Sequence, residues 1–535
     1  MEPRQRPVVS IGRRISGMIA RLFPLICIFV AATIVSLWPF AAATNVTGQC
    51  MANVVQQLES QCNSSSPSYE GILAAYRAQC CSRALQVLAP ATLESWITRQ
   101  AVQFEQQVST AVNVTYGDPS IIPSIVDSQL KGWAAQDLWI VDGASIPPLA
   151  YLKALLPLEQ KIQDSPDAAW DGYHRLWSNL SVADGRIVAM PLSSDALLLY
   201  YRRDTFAALG RDVPSSWDEL VQLAVDWNKS AAPVAAKAAA AAAAATTTTV
   251  PPAPRHALCL STAPNCSTTV WVLSAVLASI TQRWGPRTGW ALALDESDPM
   301  RAVQLLNGTA MEHGLATLRA LAAAGPQGLS CGEPLVRFAR GECLVTLDLG
   351  RGFRLLQQQT AGSASSGADI GNESSLIRGV VGVALPPGST HVLDRSSGEL
   401  VPAGKDTCRV SNADRSGAWA CVAPMLSYGG TFGVISRRNG AVYQELAFQF
   451  LTWLSSLEAQ WQGVADAGGD ANMAGAALQP VRESMLTSAG ALDQFTASVD
   501  SGGAGYDLAD AQSYLAALQA AFTSPNVALE FGAPG

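Results

Sequence analysis

The chain has 535 residues, of which 49% are hydrophobic and 15% charged, and its net charge is -8. That length leaves room for two or more lobes with cores of their own. An acidic balance without any basic stripe excludes nucleic acid as a partner.

Arg4, Arg6, Arg13, Arg14 and Arg21 precede an apolar run over residues 22–43. The small residues at 41–43 suit cleavage, so residues 1–44 read as a signal peptide, or as a signal anchor if the run is retained. Both readings send the chain into the secretory pathway. The expected location is secreted, or the extracellular face of the plasma membrane, with membrane contact only through this segment or a downstream region. Cys27 lies in the apolar run. The other ten cysteines are Cys50, Cys62, Cys80, Cys81, Cys259, Cys266, Cys331, Cys343, Cys408 and Cys421. An even number in local groups predicts disulfides. Local pairing joins 259 to 266, 331 to 343 and 408 to 421, with two further bridges among the first four, whose three connectivities stay open. Adjacent Cys80 and Cys81, with no His nearby, lack metal-ligand spacing, and no metal is expected. Sequons beginning at Asn45, Asn63, Asn113, Asn179, Asn228, Asn265, Asn307 and Asn372 predict a glycoprotein, each site exposed.

Residues 45–83 read as a Cys-rich helical cap. A strand at 84–88 follows, then an amphipathic helix over 93–108 marked by Leu93, Trp96, Ile97, Phe104 and Val108, with Thr92 as N-cap. Strands at 111–116 and 138–141 flank a helix at 120–130. This β-α-β-α-β order predicts a doubly wound α/β layer. Ligands meet such sheets at the carboxyl ends of the strands, which places Asp142 on the binding edge. Asp142 is equally suited to cap the next helix. A further helix is expected at 151–158.

The stretch 186–206 holds two apolar runs around a polar joint. The first is stopped by Pro191, the joint is Ser193-Ser194-Asp195, and the second covers 196–201. Such a joint suits a crossing between two lobes, with its polar side chains facing a cleft. Ser216 and Glu219 have capping-box spacing and open a helix running to about 228. Residues 231–254, with eight consecutive alanines, form a low-complexity insertion without core-building residues. An apolar helix at 269–280 carries Trp271, either a ligand platform or a core residue. Helices are expected at 302–306, 316–323 and 335–340. A buried strand at 343–347 ends at Asp348-Leu349-Gly350, and a helix over 351–359 follows, carrying Phe353. Residues 361–375 read as a Gly/Ser-rich loop, 380–385 as a strand and 408–421 as a hairpin-like loop. Tyr428-Gly429-Gly430-Thr431 opens a Gly-rich strand, read as backbone near a ligand, a second crossing, or a bulged strand. Helices at 445–457 and 508–522 complete the chain.

No GxSxG, HExxH or Walker A pattern occurs, and His174, His256, His313 and His391 are scattered. The one catalytic alternative is a carboxylate pair, Asp142 and Asp195, for glycoside hydrolysis.

Several segments, in this order, resemble the extracellular solute-binding proteins of bacterial ABC transporters, sugar-type branch. They are Leu138-Trp139-Ile140-Val141-Asp142, Leu155-Leu156-Pro157-Leu158, Asp184-Gly185-Arg186-Ile187-Val188-Ala189-Met190-Pro191, Leu199-Tyr200-Tyr201-Arg202-Arg203-Asp204, Ser216-Trp217-Asp218-Glu219-Leu220 and Phe338-Ala339-Arg340-Gly341-Glu342-Cys343. Gly429-Gly430 with the 445–457 helix closes the set, and the likeness covers about 84–482. It implies a two-lobed α/β fold of the type II periplasmic-binding-protein kind, with a ligand cleft between the lobes. Lobe one takes 84–193 and 430–482; lobe two takes 196–427 and 483–535. The implied ligand-binding residues are Asp142, Ser193, Ser194, Asp195, Trp271, Asp348, Gly350, Phe353, Tyr428, Gly429, Gly430 and Thr431. Arg202 stands where the family has Asn, and the insertion, disulfides and sequons are departures. The chain is also similar to the ectodomains of some green-algal receptor-type nucleotide cyclases, without a cyclase segment. The implied function is non-catalytic binding of a sugar or similar polar metabolite, without a cofactor, in a solute-binding or sensor ectodomain. The alternatives are a secreted carbohydrate-active enzyme and a structural matrix glycoprotein.

Overall fold

The computed structural model describes residues 84–529 apart from 109, 118–135, 228, 230–250, 265, 283–288, 295–301, 358–374, 409–410, 414–418, 428–429, 466–477, 488 and 497–505. The signal segment, the 45–83 cap with its four cysteines, the 120–130 helix and nearly all of the 231–254 insertion lie outside the described residues. Packing divides the chain into two units. One contains Ala101–Asn113 and the residues up to Leu85; the other, Gln86–Gln100 with Val114–Gly535, holds every site discussed below.

Two sheets organise the molecule. The first has five strands: β1 (Leu85–Pro90), β2 (Val112–Gly117), β3 (Leu138–Asp142), β4 (Met190–Ser193) and, far along the chain, β10 (Thr431–Ile435). Their order across the sheet is β2-β1-β3-β10-β4. β1 and β3 run parallel, while β10 lies antiparallel between β3 and β4. Leu138 to Val141 are all buried, as expected of a strand covered on both faces. Pro191 does not stop its strand. It lies inside β4, opposite Phe432, at the edge of the sheet, where a residue without an N–H is tolerated.

The second sheet has the order β8-β5-β7-β6, where β5 is Leu197–Arg202, β6 is His256–Cys259, β7 is Cys343–Leu349 and β8 is Val381–Ala384. β5 is antiparallel to both β7 and β8, and β6 and β7 are parallel. Leu197, Leu199, Leu258, Leu344 and Leu347 pack into one core with the apolar helix α2 (Ser267–Thr281) and with Trp217, Leu220 and Trp227 of the helix at 217–227. At the start of the latter helix Ser216 Oγ accepts from the Glu219 amide at 3.2 Å. The Glu219 carboxylate reaches back to the amide of Ser215 at 2.7 Å, one residue earlier than the expected capping box.

Several local expectations change. Residues 151–158 are not a helix. Pro147 and Pro148 occupy the first turn of Ile146–Tyr151, and Leu155 then bridges Ser436 at the end of β10. Residues 302–304 form a strand antiparallel to Leu292–Leu294. Two of the local disulfide pairings are replaced by Cys259–Cys343 and Cys266–Cys331, with Cα separations of 5.9 and 5.3 Å, while Cys408–Cys421 forms as expected. The reason is topological: β6 and β7 are parallel neighbours, and the crossover between them brings segments 84 residues apart in the sequence side by side. Cys408–Cys421 closes the hairpin that pairs Ser411–Ala413 with Trp419–Cys421. The three described sequon asparagines, Asn113, Asn179 and Asn307, are all exposed.

The last long helix, α5 (Leu508–Thr523; the helices α3, Thr309–Ala323, and α4, Ala441–Leu454, precede it), covers the open edge of the second sheet. Val381 and Val383 of β8 turn their amides outward. The first donates to Asp510 Oδ1 at 3.1 Å and the second to Ser513 Oγ at 2.7 Å. An exposed edge is a template for wrong pairing, and here side chains from a helix occupy it. Fully buried Asp510 also accepts from Arg203 at 2.6 Å, Gly379 N at 2.7 Å and Gln357 Nε2 at 2.8 Å. Asp510→Ala leaves these donors without an acceptor and should cost about 3–5 kcal/mol, the usual cost of breaking a buried ion pair from one side. Ser513→Ala should cost about 1 kcal/mol, as for one neutral hydrogen bond. Urea unfolding of the two variants checks the ranking.

Candidate ligand-binding site

The polar joint predicted from 186–206 is a passage between the two sheets. β4 ends at Ser193 in the first, and β5 begins at Leu197 in the second. Strand register sets what lies beside Ser193. Thr431, the first residue of β10, is opposite Ser193 on one side and Asp142 on the other. Asp142, Thr431 and Ser193 therefore form a row across three adjacent strand ends. On the other sheet Asp348 lies opposite Leu198, near the start of β5, and the Gly350 amide donates to Ala196 O at 2.8 Å.

One residue, unremarked in the sequence, holds this passage together. Gln479 is buried against Ser193, Ser194, Asp195 and Ala196 at once. Its backbone amide donates to Ser193 Oγ at 2.9 Å, and its carbonyl accepts from Ser194 N at 3.3 Å. Its Oε1 accepts from Ser194 Oγ at 3.2 Å and Ala196 N at 3.3 Å, while Nε2 donates to Asp195 Oδ1 at 3.2 Å. A side chain with both donor and acceptor is needed, because the joint presents an amide, a hydroxyl and a carboxylate together. Gly350 packs so closely that an added Cβ would lie 2.7 Å from Gln479 Oε1. A second segment passes alongside. The Ser427 amide donates to Asp195 O at 2.8 Å. Gly430, at φ +86, is so close that a Cβ there would lie 2.6 Å from Ser193 O. Here glycine is required by both backbone conformation and space.

Two carboxylates at the joint are desolvated. Burial pushes Asp195 and Asp348 each up to about 6. Arg351, whose guanidinium is 3.4 Å from Asp195 Oδ2, pulls both back, and Asp348 raises Asp195 further. The Leu349 amide, 2.7 Å from Asp348 Oδ1, favours the ionised form of that group. Asp142 is also raised by burial, and its bonds from Ser145 N at 2.8 Å and Ser145 Oγ at 2.7 Å oppose the rise. Asp142 is thus the N-cap of the 3-10 turn Gly143–Ser145, as well as one member of the strand-end row.

This architecture recurs in solved structures. The fold is that of the type II periplasmic solute-binding proteins. An ABC transporter solute-binding protein from Agrobacterium radiobacter K84 in complex with ribitol is similar at TM-score 0.54 and 15% identity, over 81% of this chain and 87% of that one. Maltose-bound MalE3 of T. maritima matches at 0.53 and 18%, over 83% and 88%. The sugar-binding protein MalE of Xanthomonas citri matches at 0.50 and 14%, over 84% and 86%. No protein-family model and no curated protein matches the sequence. The proteins named in these structures are binding proteins.

The fold gathers Asp142, Ser193, Ser194, Asp195, Asp348, Gly350, Gly430 and Thr431 at or beside the passage. It does not bring in Trp271, which packs within the core of the second sheet. Phe353 is buried and stacks on Tyr514 of α5, ring centroids 4.3 Å apart. Tyr428 and Gly429 lie outside the described residues. Gln479 and Arg351 had no local signal: Gln479 lies more than 280 residues from its partners in sequence.

The sign of the carboxylate contribution follows from linkage. A pKa raised from about 3.9 to about 6 makes the folded state bind more protons between those values. The stabilising contribution of Asp195 and Asp348 is therefore fully present below about pH 4 and is lost as pH rises through about 6. The Asp195→Asn, Asp348→Asn double variant should flatten the dependence of melting temperature on pH across that window, measured in a buffer series.

Proposed function

We propose that this chain binds a small polar solute, a sugar or polyol, on the extracellular side, by closing its two sheet-based lobes over the row Asp142, Thr431 and Ser193. That row carries the reading. It is polar, it stands at strand ends where α/β sheets take ligands, and it adjoins the passage between the sheets. Carboxylate and hydroxyl groups side by side suit the paired donors and acceptors of a polyhydroxylated ligand. The structural neighbours were solved with ribitol and with maltose, ligands of that class. Lobe one is taken as 84–193 with 430–482, and lobe two as 196–427 with 483–535.

Three features support an extracellular setting: disulfides, exposed sequon asparagines, and an arginine-led apolar start. A sensor ectodomain of the receptor-cyclase kind and a solute-binding protein serving a transporter share this reading. Among the described residues no helix is long and apolar enough to cross a membrane. The binding role is favoured over glycoside hydrolysis because the structural neighbours, the ribitol and maltose complexes among them, are binding proteins.

A thermal-shift screen of the full chain against sugars, polyols, amino acids and polyamines tests this. A cognate ligand at 100 times its Kd adds about 2.7 kcal/mol, and the melting temperature rises in a saturable way. Thr431→Val and Asp142→Asn should each weaken that shift at least tenfold in ligand concentration. Small-angle scattering with the ligand should show compaction. Binding without compaction overturns lobe closure, and a rise only with polyamines or amino acids overturns the ligand class.

A further inference from the structure

Four histidines are spread over the sequence, and the fold brings two of them together on elements other than those that form the passage between the sheets. His313 lies in α3, and His391 opens the short strand β9 (His391–Leu393). Their ring centroids are 6.0 Å apart and the rings meet edge to face. His391 is exposed and His313 partly so. The loop before β9 connects them to a carboxylate: Thr390 Oγ1 lies 3.1 Å from His391 Nδ1 and donates to Asp218 Oδ2, on the helix at 217–227. Asp218 also acts electrostatically on His313.

The hydrogen-bond chain decides a tautomer. An ionised carboxylate only accepts, so the Thr390 proton goes to Asp218. Thr390 Oγ1 is then left to accept, and its neighbour His391 Nδ1 must donate. The lone pair of His391 is thereby confined to Nε2. Metal-binding histidines are held in the same way, with one ring nitrogen donating into an oxygen network while the other ligates. The support is rigid. The Trp217 amide donates to Gly388 O at 2.9 Å. Ser389 and Cys421 exchange backbone bonds at 2.9 and 2.7 Å, and Cys421 is itself bridged to Cys408. Two imidazoles sharing one tetrahedral ion would have centroids roughly 5 Å apart, from metal–nitrogen bonds of about 2.1 Å plus the ring radius. The observed separation of 6.0 Å is about an ångström longer than that.

We propose that His313 and His391 form a two-histidine site for a borderline divalent transition cation, zinc(II), nickel(II) or copper(II), with Asp218 and Thr390 orienting His391 behind it. Among the described residues no group of three His, Cys, Asp or Glu could hold a metal ion, so water completes the coordination and affinity is modest. Occupancy would clamp α3 to β9. The site is independent of the solute-binding proposal.

Titration calorimetry with zinc chloride on the full, oxidised chain tests it, with circular dichroism confirming that each variant is folded. One equivalent should bind saturably. His313→Ala and His391→Ala should each abolish it, whereas His256→Ala should leave it intact. Thr390→Ala, which keeps both ligands, should weaken binding about tenfold, as loss of an outer-shell partner does. Absence of saturable binding, or binding unchanged in both the His313 and His391 variants, overturns the site. Unchanged affinity in Thr390→Ala overturns the orienting chain.

Discussion

The side chain of Gln479 is the constraint on which the rest of the structure depends. The chain must leave one sheet and enter another within three residues, and those residues carry polar groups that burial would otherwise strand. An unmade buried hydrogen bond costs about 1–3 kcal/mol, so each group at 193–196 needs a partner. One glutamine supplies most of them, accepting from Ser194 and Ala196 and donating to Asp195. No apolar residue could do this, and a carboxylate would meet Asp195 with like charge. Gly350 and Gly430 are small for the same reason: their backbones press against Gln479 and Ser193 from two sides.

Around that point the two sheets are closed off differently. The first sheet inserts β10 antiparallel between β3 and β4, and so brings Thr431 level with both Asp142 and Ser193. The second leaves β8 at an edge and covers it with α5, where Asp510 and Ser513 take the outward amides. Arg203 opens the helix that follows β5 and donates to Asp510, so the chain leaving the passage is tied to the last long helix. Two disulfides add a covalent tie between the β6–α2 region and the β7 region.

Much of the architecture was legible because apolar runs and turn residues carry it. β1, β3, β5, β7 and α5 appear within a few residues of expectation. The strands are buried apolar runs, and Asp507 caps α5 by accepting from Ala509 and Asp510 amides. The failures share a cause. Residues 302–304 pair with a strand, 154–156 run beside the end of β10, and Pro191 belongs to an edge; in each case a distant partner overrode local preference. Trp271 could be a platform or a core residue on sequence grounds, and the sheet beneath α2 places it in the core.

The sequence by itself determined the α/β class, the polar joint at Ser193–Asp195 and the resemblance that names the fold, while the glycine needed at 430 was decided by its φ of +86 and its approach to Ser193. The first three depend on local patterns, which are properties of neighbouring residues. Only the tertiary structure decided which cysteines pair, that Gln479 satisfies the joint, that Thr431 stands between Asp142 and Ser193, and that two scattered histidines meet. Those facts depend on strand order and register. Long-range pairing sets both, and a one-residue shift in register would change every neighbour.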